Sequence, residues 1–354
     1  MTDHDALRLH TRVPARSAAC RRGGDRIVPP ASAVARDIER ATAHSLTGRS
    51  RPADDGGGKA GAQTRFKRAV WTSGDRLGAF GIGQMLRHLR HRGRYIRAVI
   101  YHATPASLAD NLRRHLDFYR RHFDNATPED LSRCLAGQRD PASRPGLIIT
   151  FDDGYADNYE VAAPLLEEYG FTGWFFVSSG RVGDRDVSRP DGKAAPDDGP
   201  FMTFDEMKDL RARGHVVGCH THSHSRLADA LGPARLVEEI AHSHRRLEQA
   251  LDFPVDVFCW VGGEEWSYSI EAARLVAARY RYAFTTLNHV LTARTPPLML
   301  SRTNVDASWP LARVRFYLSG ATDLVHMPKR RRVFEKLAYG SALGQTPQGS
   351  TPRV

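Results

Sequence analysis

The chain has 354 residues, of which 41% are hydrophobic and 26% are charged, and its formal net charge is +11. This length can bury the core of one large domain or of two small ones. The excess charge lies near the amino end, because residues 61–100 contain nine Lys or Arg and one acidic residue, whereas residues 101–354 are nearly neutral. We therefore expect a globular protein with no nucleic-acid partner.

Targeting signals are not evident in the sequence. No stretch approaches the roughly 18 to 20 apolar residues of a membrane span, and charged residues stand where a secretory signal has its apolar run. The four cysteines have neither zinc-ribbon spacing nor the density of a disulfide scaffold. We expect a cytoplasmic protein, either free or peripheral to the inner membrane.

The two ends of the chain differ from its middle. Residues 1–64 are rich in Arg, Ala, Asp, Gly and Ser, which predicts a disordered tail. Residues 65–96 form a basic amphipathic segment with two interpretations: residues 65–94 contact an anionic membrane surface, or their apolar stripe packs on the main domain. We predict that domain at 97–325 and a basic C-terminal tail at 326–354.

The middle of the chain alternates short apolar runs with helical patterns, which is typical of a parallel α/β sheet. Seven such runs suit a barrel better than a short open sheet, and in such barrels the chemistry lies at the carboxyl ends of the strands. The runs are 96–101, 147–151, 174–177, 216–219, 255–260, 282–286 and 298–305.

The first motif, Thr-Phe-Asp-Asp-Gly-Tyr at 150–155, directly follows an apolar run. Two adjacent carboxylates, Asp152 and Asp153, are costly to hold together unless a cation or a proton separates their roles. Gly154 would allow a tight turn that brings backbone N–H groups close to a substrate oxygen. The alternative is an ordinary Asp-rich turn.

The second motif places three histidines within 220–224, again after an apolar run. Imidazole is a favoured ligand of zinc and related metals, so His220 and His224 could face one ion. Asp153 would complete a set of two histidines and one carboxylate with positions left for water and substrate. The alternative is a solvated polar loop.

Together these motifs resemble the polysaccharide deacetylase family, whose catalytic region is the NodB homology domain, also classed as carbohydrate esterase family 4. Residues 150–154 match its first signature without a change, and His220, Thr221 and His224 match the second, His-(Ser/Thr)-x-x-His. The resemblance extends from about 97 to about 320. It implies an α/β fold, an irregular parallel (β/α) barrel of about seven strands, and metal-dependent removal of acetyl from an N-acetylated sugar.

The resemblance also implies roles for individual residues. Asp152 would be the general base, Asp153, His220 and His224 would hold the metal, and the backbone N–H of Tyr155 would contribute to the oxyanion hole. Zinc is the default ion, although cobalt, nickel or iron fits the same ligands. The carbohydrate would belong to a bacterial surface or envelope glycan, or to its lipid-linked precursor.

The chain departs from the family at the proton donor. The usual late Leu-x-His strand reads Leu300-Ser301-Arg302 here, without a histidine. An early Tyr101-His102 pair resembles a circularly permuted subgroup, and a closed barrel makes the first and last strands neighbours. We predict His102 as the general acid, the alternative being a histidine that only caps its strand.

The third family signature, usually Arg-x-Pro-Tyr-Gly, is eroded to Cys-Trp-Val-Gly-Gly at 259–263. In the family, the lost arginine normally pairs with the catalytic Asp. An alternative function is therefore that of a catalytically impaired carbohydrate-binding protein of the same fold. Arg302 is a candidate for the missing charge. We predict a substrate groove that includes Trp260, Glu264, Trp266 and Arg302, although tryptophan is as often part of the core. The Pro- and Gly-rich residues 184–199 predict a surface loop near the barrel mouth.

Overall fold

The computed structural model describes residues 69–184 and 200–345. The predicted disordered tail 1–64 lies outside these ranges, as does all but the first residue of the predicted surface loop 184–199. Within them, no helix is both long and apolar enough to cross a membrane.

The described residues form one mainly parallel sheet. Hydrogen bonds join the strands in the order β7-β6-β5-β4-β3-β1-β8, with β2 also on β3 and β9 also on β1. The strands are β1 (Ile96–Tyr101), β2 (Asp124–Asn125), β3 (Gly146–Phe151), β4 (Gly173–Val177), β5 (Val216–Cys219), β6 (Val257–Cys259), β7 (Tyr282–Phe284), β8 (Val290–Leu291) and β9 (Thr303–Asn304).

The sheet curls until its ends meet. Leu300 forms a parallel bridge with Phe284 of β7, and β9 then pairs in parallel with β1. The chain from Leu300 to Asn304 thus links β7 to β1, which confirms the predicted irregular parallel barrel. Each of the seven predicted runs overlaps one of its strands, while β8 is antiparallel to β1.

The apolar runs become strands because both of their faces are buried. Every residue of β1, β3 and β4 is buried. Alternate side chains enter two clusters: Ile148, Trp174 and Phe176 pack with each other inside the barrel, whereas Ile149 and Phe175 pack under the helices. This period of two follows from the pleat of a strand.

Ten α-helices surround or extend this barrel in the described ranges, besides a helical segment at 69–76 and several 3₁₀ and π segments. They are α1 (Ala79–His91), α2 (Ala109–His122), α3 (Pro128–Leu135), α4 (Ala163–Glu168), α5 (Phe204–Ala212), α6 (Pro233–Val237), α7 (Ser243–Leu251), α8 (Ile270–Ala277), α9 (Leu311–Leu318) and α10 (Met327–Gln345). Two begin at threonines that form full capping boxes, Thr127 before α3 and Thr203 before α5.

The predicted basic C-terminal tail contains the longest of these helices. Val333 and Leu337 of α10 are buried in the main core. A Cβ atom at Gly340 would lie only 2.4 Å from the carbonyl oxygen of Ile270 in α8, so glycine lets the two helices approach closely. Up to Gln345, this segment is therefore a packed element of the fold.

Candidate active site

Both sequence motifs meet at the carboxyl ends of two strands, β3 and β5, that lie on either side of β4. Asp152 and Asp153 follow β3, and His220 follows β5. Three non-glycine residues here have positive φ angles: Asp153 at 76°, Thr221 at 69° and His224 at 60°. Such angles are costly, above all for a β-branched threonine. Their concentration at one edge of the barrel marks a site whose surroundings enforce a particular arrangement of side chains.

Asp153, His220 and His224 converge as a metal-ligand set would. Asp153 Oδ1 lies 2.9 Å from His224 Nε2 and 3.5 Å from His220 Nε2, but it is buried without a well-aligned hydrogen bond. The Nδ1 atom of His220 pairs at 2.9 Å with the carbonyl oxygen of Cys259. Donation of the Nδ1 proton leaves the Nε2 lone pair directed at Asp153. These donors fit a divalent ion that takes two imidazoles and one carboxylate.

The charge states of these ligands suit a cation. Burial lowers the pKa of His220 to about 4, so this imidazole is neutral near pH 7. Burial would raise the pKa of Asp153, but the neighbouring His224, together with His102 and His220, lowers it below its usual value. An ionised carboxylate beside a neutral imidazole is the form in which both residues bind metal.

The second carboxylate is held by an arginine from the far end of the domain. Arg302 donates two hydrogen bonds to Asp152, Nη1 to Oδ1 at 2.7 Å and Nη2 to Oδ2 at 2.8 Å. Burial would raise the pKa of Asp152, but Arg302 and His220 outweigh it and lower that pKa. The guanidinium also donates to Thr150 Oγ1 at 2.8 Å and lies over the Phe176 ring. Asp152 is thus kept ionised and fixed in orientation.

Cys259 completes the surroundings of Asp152. Its Sγ accepts a hydrogen bond from Arg302 Nη2 at 2.7 Å and lies 3.6 Å from both oxygens of Asp152. Burial raises the pKa of this thiol, so it stays protonated. Asp152, His220 and Cys259 could in principle hold an ion too, but the Arg302 cation occupies the space between Asp152 and Cys259. The Asp153 set is therefore the better metal site.

The structure places His102 directly after β1, beside β3 in the barrel. Tyr101 and Phe151, the residues just before His102 and Asp152, are paired in register, and the Asp152 N–H donates to the Tyr101 carbonyl oxygen at 2.9 Å. Asn158 fixes the backbone here, because its Nδ2 donates to the His102 carbonyl oxygen at 2.9 Å. His102 is therefore close to both carboxylates, and its role as the acid stays a prediction.

The turn after Asp153 is tightly packed. Gly154 has a φ of 82°, and a Cβ atom there would lie 3.0 Å from Val177 Cγ1, so both angle and space require glycine. The ring of the next residue, Tyr155, is buried and stacks on Phe201. This packing fixes the direction of the backbone at Tyr155, and the oxyanion role of its N–H stays a prediction.

The histidine loop is anchored by residues that sequence reasoning missed. Glu239 is fully buried and accepts hydrogen bonds from the backbone N–H groups of His222 and Ser223 at 3.0 and 2.9 Å. His222, the middle histidine, turns away from the ligand set, and its Nδ1 lies 2.9 Å from Ser179 Oγ. Glu239 stands in a π-helical turn, a feature often found at functional sites. No sequence motif pointed to it, although an acid fifteen residues after His224 was visible.

Two of the four residues predicted for the substrate groove are buried in the structure. Trp260 is 1% exposed and packs on Tyr268, and Arg302 is fully buried. Neither can touch a substrate in an open groove, because Trp260 points into the core and Arg302 is engaged with Asp152. Trp266 is 57% exposed, with the Arg226 guanidinium 5.7 Å from its ring centre, and Arg226 in turn hydrogen-bonds Glu264.

Residues 139–282 match the family model described as polysaccharide deacetylase. This match confirms the predicted resemblance to the polysaccharide deacetylase family. A curated Bacillus subtilis (strain 168) protein named as a polysaccharide deacetylase, YxkH, is 25% identical over 164 residues. That match covers 46% of this chain and 52% of the relative, so the chain spans about half the length of the curated relative it matches.

Solved structures of deacetylases share the fold. The Streptococcus pyogenes deacetylase PplD, solved in complex with acetate, aligns with a TM-score of 0.50 at 23% identity, over 63% of this chain and 98% of that chain. The deacetylase domain of BpsB from Bordetella bronchiseptica gives 0.51 at 19% identity, over 60% and 97%. IcaB from Ammonifex degensii gives 0.50 at 21%, over 64% and 97%. At these identities the likeness establishes the fold alone.

Proposed function

We propose that this chain is a metal-dependent carbohydrate N-deacetylase, a hydrolase that acts on the amide bond of an N-acetylated sugar. The observation that carries the proposal is the convergence of Asp153, His220 and His224 beside an ionised, arginine-held Asp152. The match of residues 139–282 to the polysaccharide deacetylase family supports carbohydrate deacetylation as the reaction type.

Asp153, His220 and His224 would hold the ion. When bound, a divalent metal supplies Lewis-acid polarisation of the acetyl carbonyl and makes water more acidic. Zinc is the default for this donor set, with cobalt, nickel and iron as alternatives. The Nδ1 hydrogen bond of His220 to Cys259 keeps the ring oriented for that role.

Asp152 takes the proton from the attacking water. A base must be ionised at working pH, and the depressed pKa that Arg302 helps to maintain provides this. The same bidentate contact prevents rotation of the carboxylate away from the reacting atoms. The backbone N–H of Tyr155 would donate to the oxygen on which negative charge develops.

His102 protonates the departing amine. The water oxygen bonds to the acetyl carbon, the carbon–nitrogen bond breaks, and its electron pair takes the proton from His102, which yields acetate and a free amino sugar. Without that proton an amide anion would have to leave, which is far too basic a group. The place of His102 close to both carboxylates supports this assignment.

The substrate we propose is an N-acetylated sugar of a bacterial surface or envelope glycan, or its lipid-linked precursor. Trp266 offers an exposed aromatic face on the segment that follows β6, and such a face suits stacking on a sugar ring. If the protein is cytoplasmic, as we propose from its sequence, the precursor is the form it would meet. Glu264 and Arg226 beside Trp266 would add hydrogen bonds to sugar hydroxyls.

The competing function is a carbohydrate-binding protein that has lost its chemistry. Its support is the missing arginine of the third signature, and the contact of Arg302 with Asp152 removes most of that support. The deciding experiment measures metal content of the purified protein and acetate release from N-acetylglucosamine oligomers. Metal together with acetate release is the expected result. Bound metal without acetate release from any glycan class would favour the binding protein.

A further inference from the structure

Helix α1 leaves a continuous apolar face in solvent. Ile82, Met85, Leu86 and Leu89 are each more than half exposed, at 53%, 55%, 57% and 69%. Their spacing of three, four and seven residues places them on one side of the helix. Leu77, just before the helix, is 77% exposed. Isolated exposed apolar residues are ordinary, whereas a contiguous row marks a contact surface.

This face does not pack on the barrel in the described part of the chain. The contact of α1 with the main core is made by Phe80, whose ring meets Phe118 with a 4.9 Å separation of centroids. Polar contacts fix the same inner side, because Arg87 Nη2 donates to the carbonyl oxygen of Leu318 at 2.7 Å and Gln84 Nε2 to that of His122 at 3.1 Å. The helix is therefore held in place while its apolar row faces outward.

The surroundings of the row are strongly basic. The sequence from Arg76 to Ala109 contains no Asp or Glu. Arg90, Arg92 and Arg94 follow or flank the row, and all three are exposed. A cleft of about 260 Å³ also lies beside Met85 and His88, against residues 142–145. An apolar stripe among arginines is the pattern of helices that lie on anionic lipid surfaces.

The position of α1 sets the orientation of the barrel. Its partners Leu318 and His122 are the last residues of α9 and α2. Helices that follow parallel strands run back toward the amino ends of those strands, so α1 lies at that end. The candidate active site lies at the opposite, carboxyl end.

We infer that α1 docks the protein on an anionic lipid bilayer, with the apolar row in the interface and the arginines among the headgroups. The mouth of the barrel then points away from the lipid into the aqueous phase. This inference is independent of the deacetylase chemistry, since it uses none of the site residues.

Co-sedimentation of the full chain with vesicles tests the docking. Wild type should bind vesicles that contain phosphatidylglycerol and should bind pure phosphatidylcholine poorly, and binding should weaken as salt is raised. Leu86→Glu with Leu89→Glu should lower the partition into anionic vesicles at least about tenfold. The matched control is Leu324→Glu with Met327→Glu, which adds the same charge at the same spacing on exposed residues elsewhere. The control should bind like wild type.

A second variant keeps the test decisive if the first disturbs folding. Arg90→Gln, Arg92→Gln and Arg94→Gln together retain the apolar row and should remove most of the salt-dependent binding. Equal binding of wild type and both α1 variants would overturn the inference. So would a wild-type dimer that the Leu86→Glu, Leu89→Glu variant converts to a monomer, because a second copy would then be the partner. If only the Leu86→Glu, Leu89→Glu variant lost much thermal stability, another part of this chain would be covering the apolar row of α1. That result would also overturn the inference.

Discussion

Arg302 decides how Asp152 is charged and oriented, although it is 150 residues away in the sequence. Replacement by methionine removes the opposing charge from a buried carboxylate, which raises the pKa of Asp152. The base must be ionised, so the acid limb of kcat/KM should move to higher pH, with a loss of about 10²-fold or more at pH 6. The measurement is the pH profile of acetate release by Arg302→Met.

Arg302→Lys is the matched control for this variant. Lysine restores the positive charge but not the bidentate hydrogen bonds to Asp152. The acid limb of the kcat/KM profile should therefore return toward the wild-type position while kcat stays low. Metal content should equal that of wild type in both variants. An acid limb that does not move in Arg302→Met would show that Arg302 has only a structural role.

His102 can be tested through the leaving group. His102→Ala should lower kcat for an N-acetylated sugar by about 10²- to 10⁴-fold, because the amine departs without a proton donor. An aryl acetate, whose phenolate leaves without protonation, should lose far less. Unchanged metal content excludes damage to the Asp153 set. Equal losses on both substrates would contradict the acid assignment.

The sequence could identify site residues that stand in a short local motif. It could not show which distant residues those side chains contact. Asp153, His220 and His224 stand in two short signatures, and a strand end directs each of them to the same edge. Trp260 also follows a strand, but the sequence cannot say whether such a ring turns inward. Cys259 was visible only as an eroded signature. Its contacts with Asp152 and Arg302 depend on how β6 and the last strand sit around β3, which only the closed barrel determines.

Among the elements, the loop that carries His220 and His224 depends on one buried acid. Glu239→Gln keeps the shape of the side chain but weakens its hydrogen bonds from the N–H groups of His222 and Ser223 and its ion pair with Arg235. Because second-layer groups orient metal ligands, we expect affinity for zinc to fall about 10- to 100-fold. Titration with a competing chelator measures this.

The neighbouring Glu238 provides the control for that variant. It is half-buried and pairs with Arg235 at 2.6 Å, but it accepts no hydrogen bond from the loop in the described structure. Glu238→Gln should therefore bind zinc like wild type. If both variants bind zinc equally well, the loop does not need Glu239 to hold His220 and His224 in place.

The strands and the barrel were predictable because the apolar runs are short, bounded and seven in number, whereas the individual pairings that close the barrel were not. Both faces of β3 and β4 are buried, which makes them apolar throughout. The weak strand β9 has two residues, and its pairing with β1 rests on partners about 200 residues apart. Helix α10 was missed since its many arginines conceal the few residues, Val333 and Leu337, that pack against the core.

At the scale of the whole molecule, a buried ion pair joins the first strand, β1, to the segment just before the last helix, α10. Arg97 of β1 donates to both oxygens of Asp323 at 3.0 and 2.8 Å and to Thr303 Oγ1 at 2.9 Å. Arg97 is 1% exposed and Asp323 9%. Asp323→Asn leaves a buried guanidinium without its counter-charge, so it should cost about 3 to 5 kcal/mol of stability at pH 7.

The sign of the pH dependence follows from the pKa of Asp323. Burial would raise that pKa, but Arg97 lowers it below its usual value, so the ionised form stabilises the fold. This stability is present above the unfolded pKa of about 3.9 and is lost as the pH falls through the folded pKa. Urea unfolding at pH 7 and pH 3, at fixed zinc, measures this. The free energy of unfolding should differ strongly between wild type and Asp323→Asn at pH 7, and the difference should be smaller at pH 3.

Asp229→Asn is the control for this variant, because its exposed pair with Lys336 should contribute less than about 1 kcal/mol of stability. Similar small losses in both variants would show that the Arg97–Asp323 pair does not hold the two ends of the domain together.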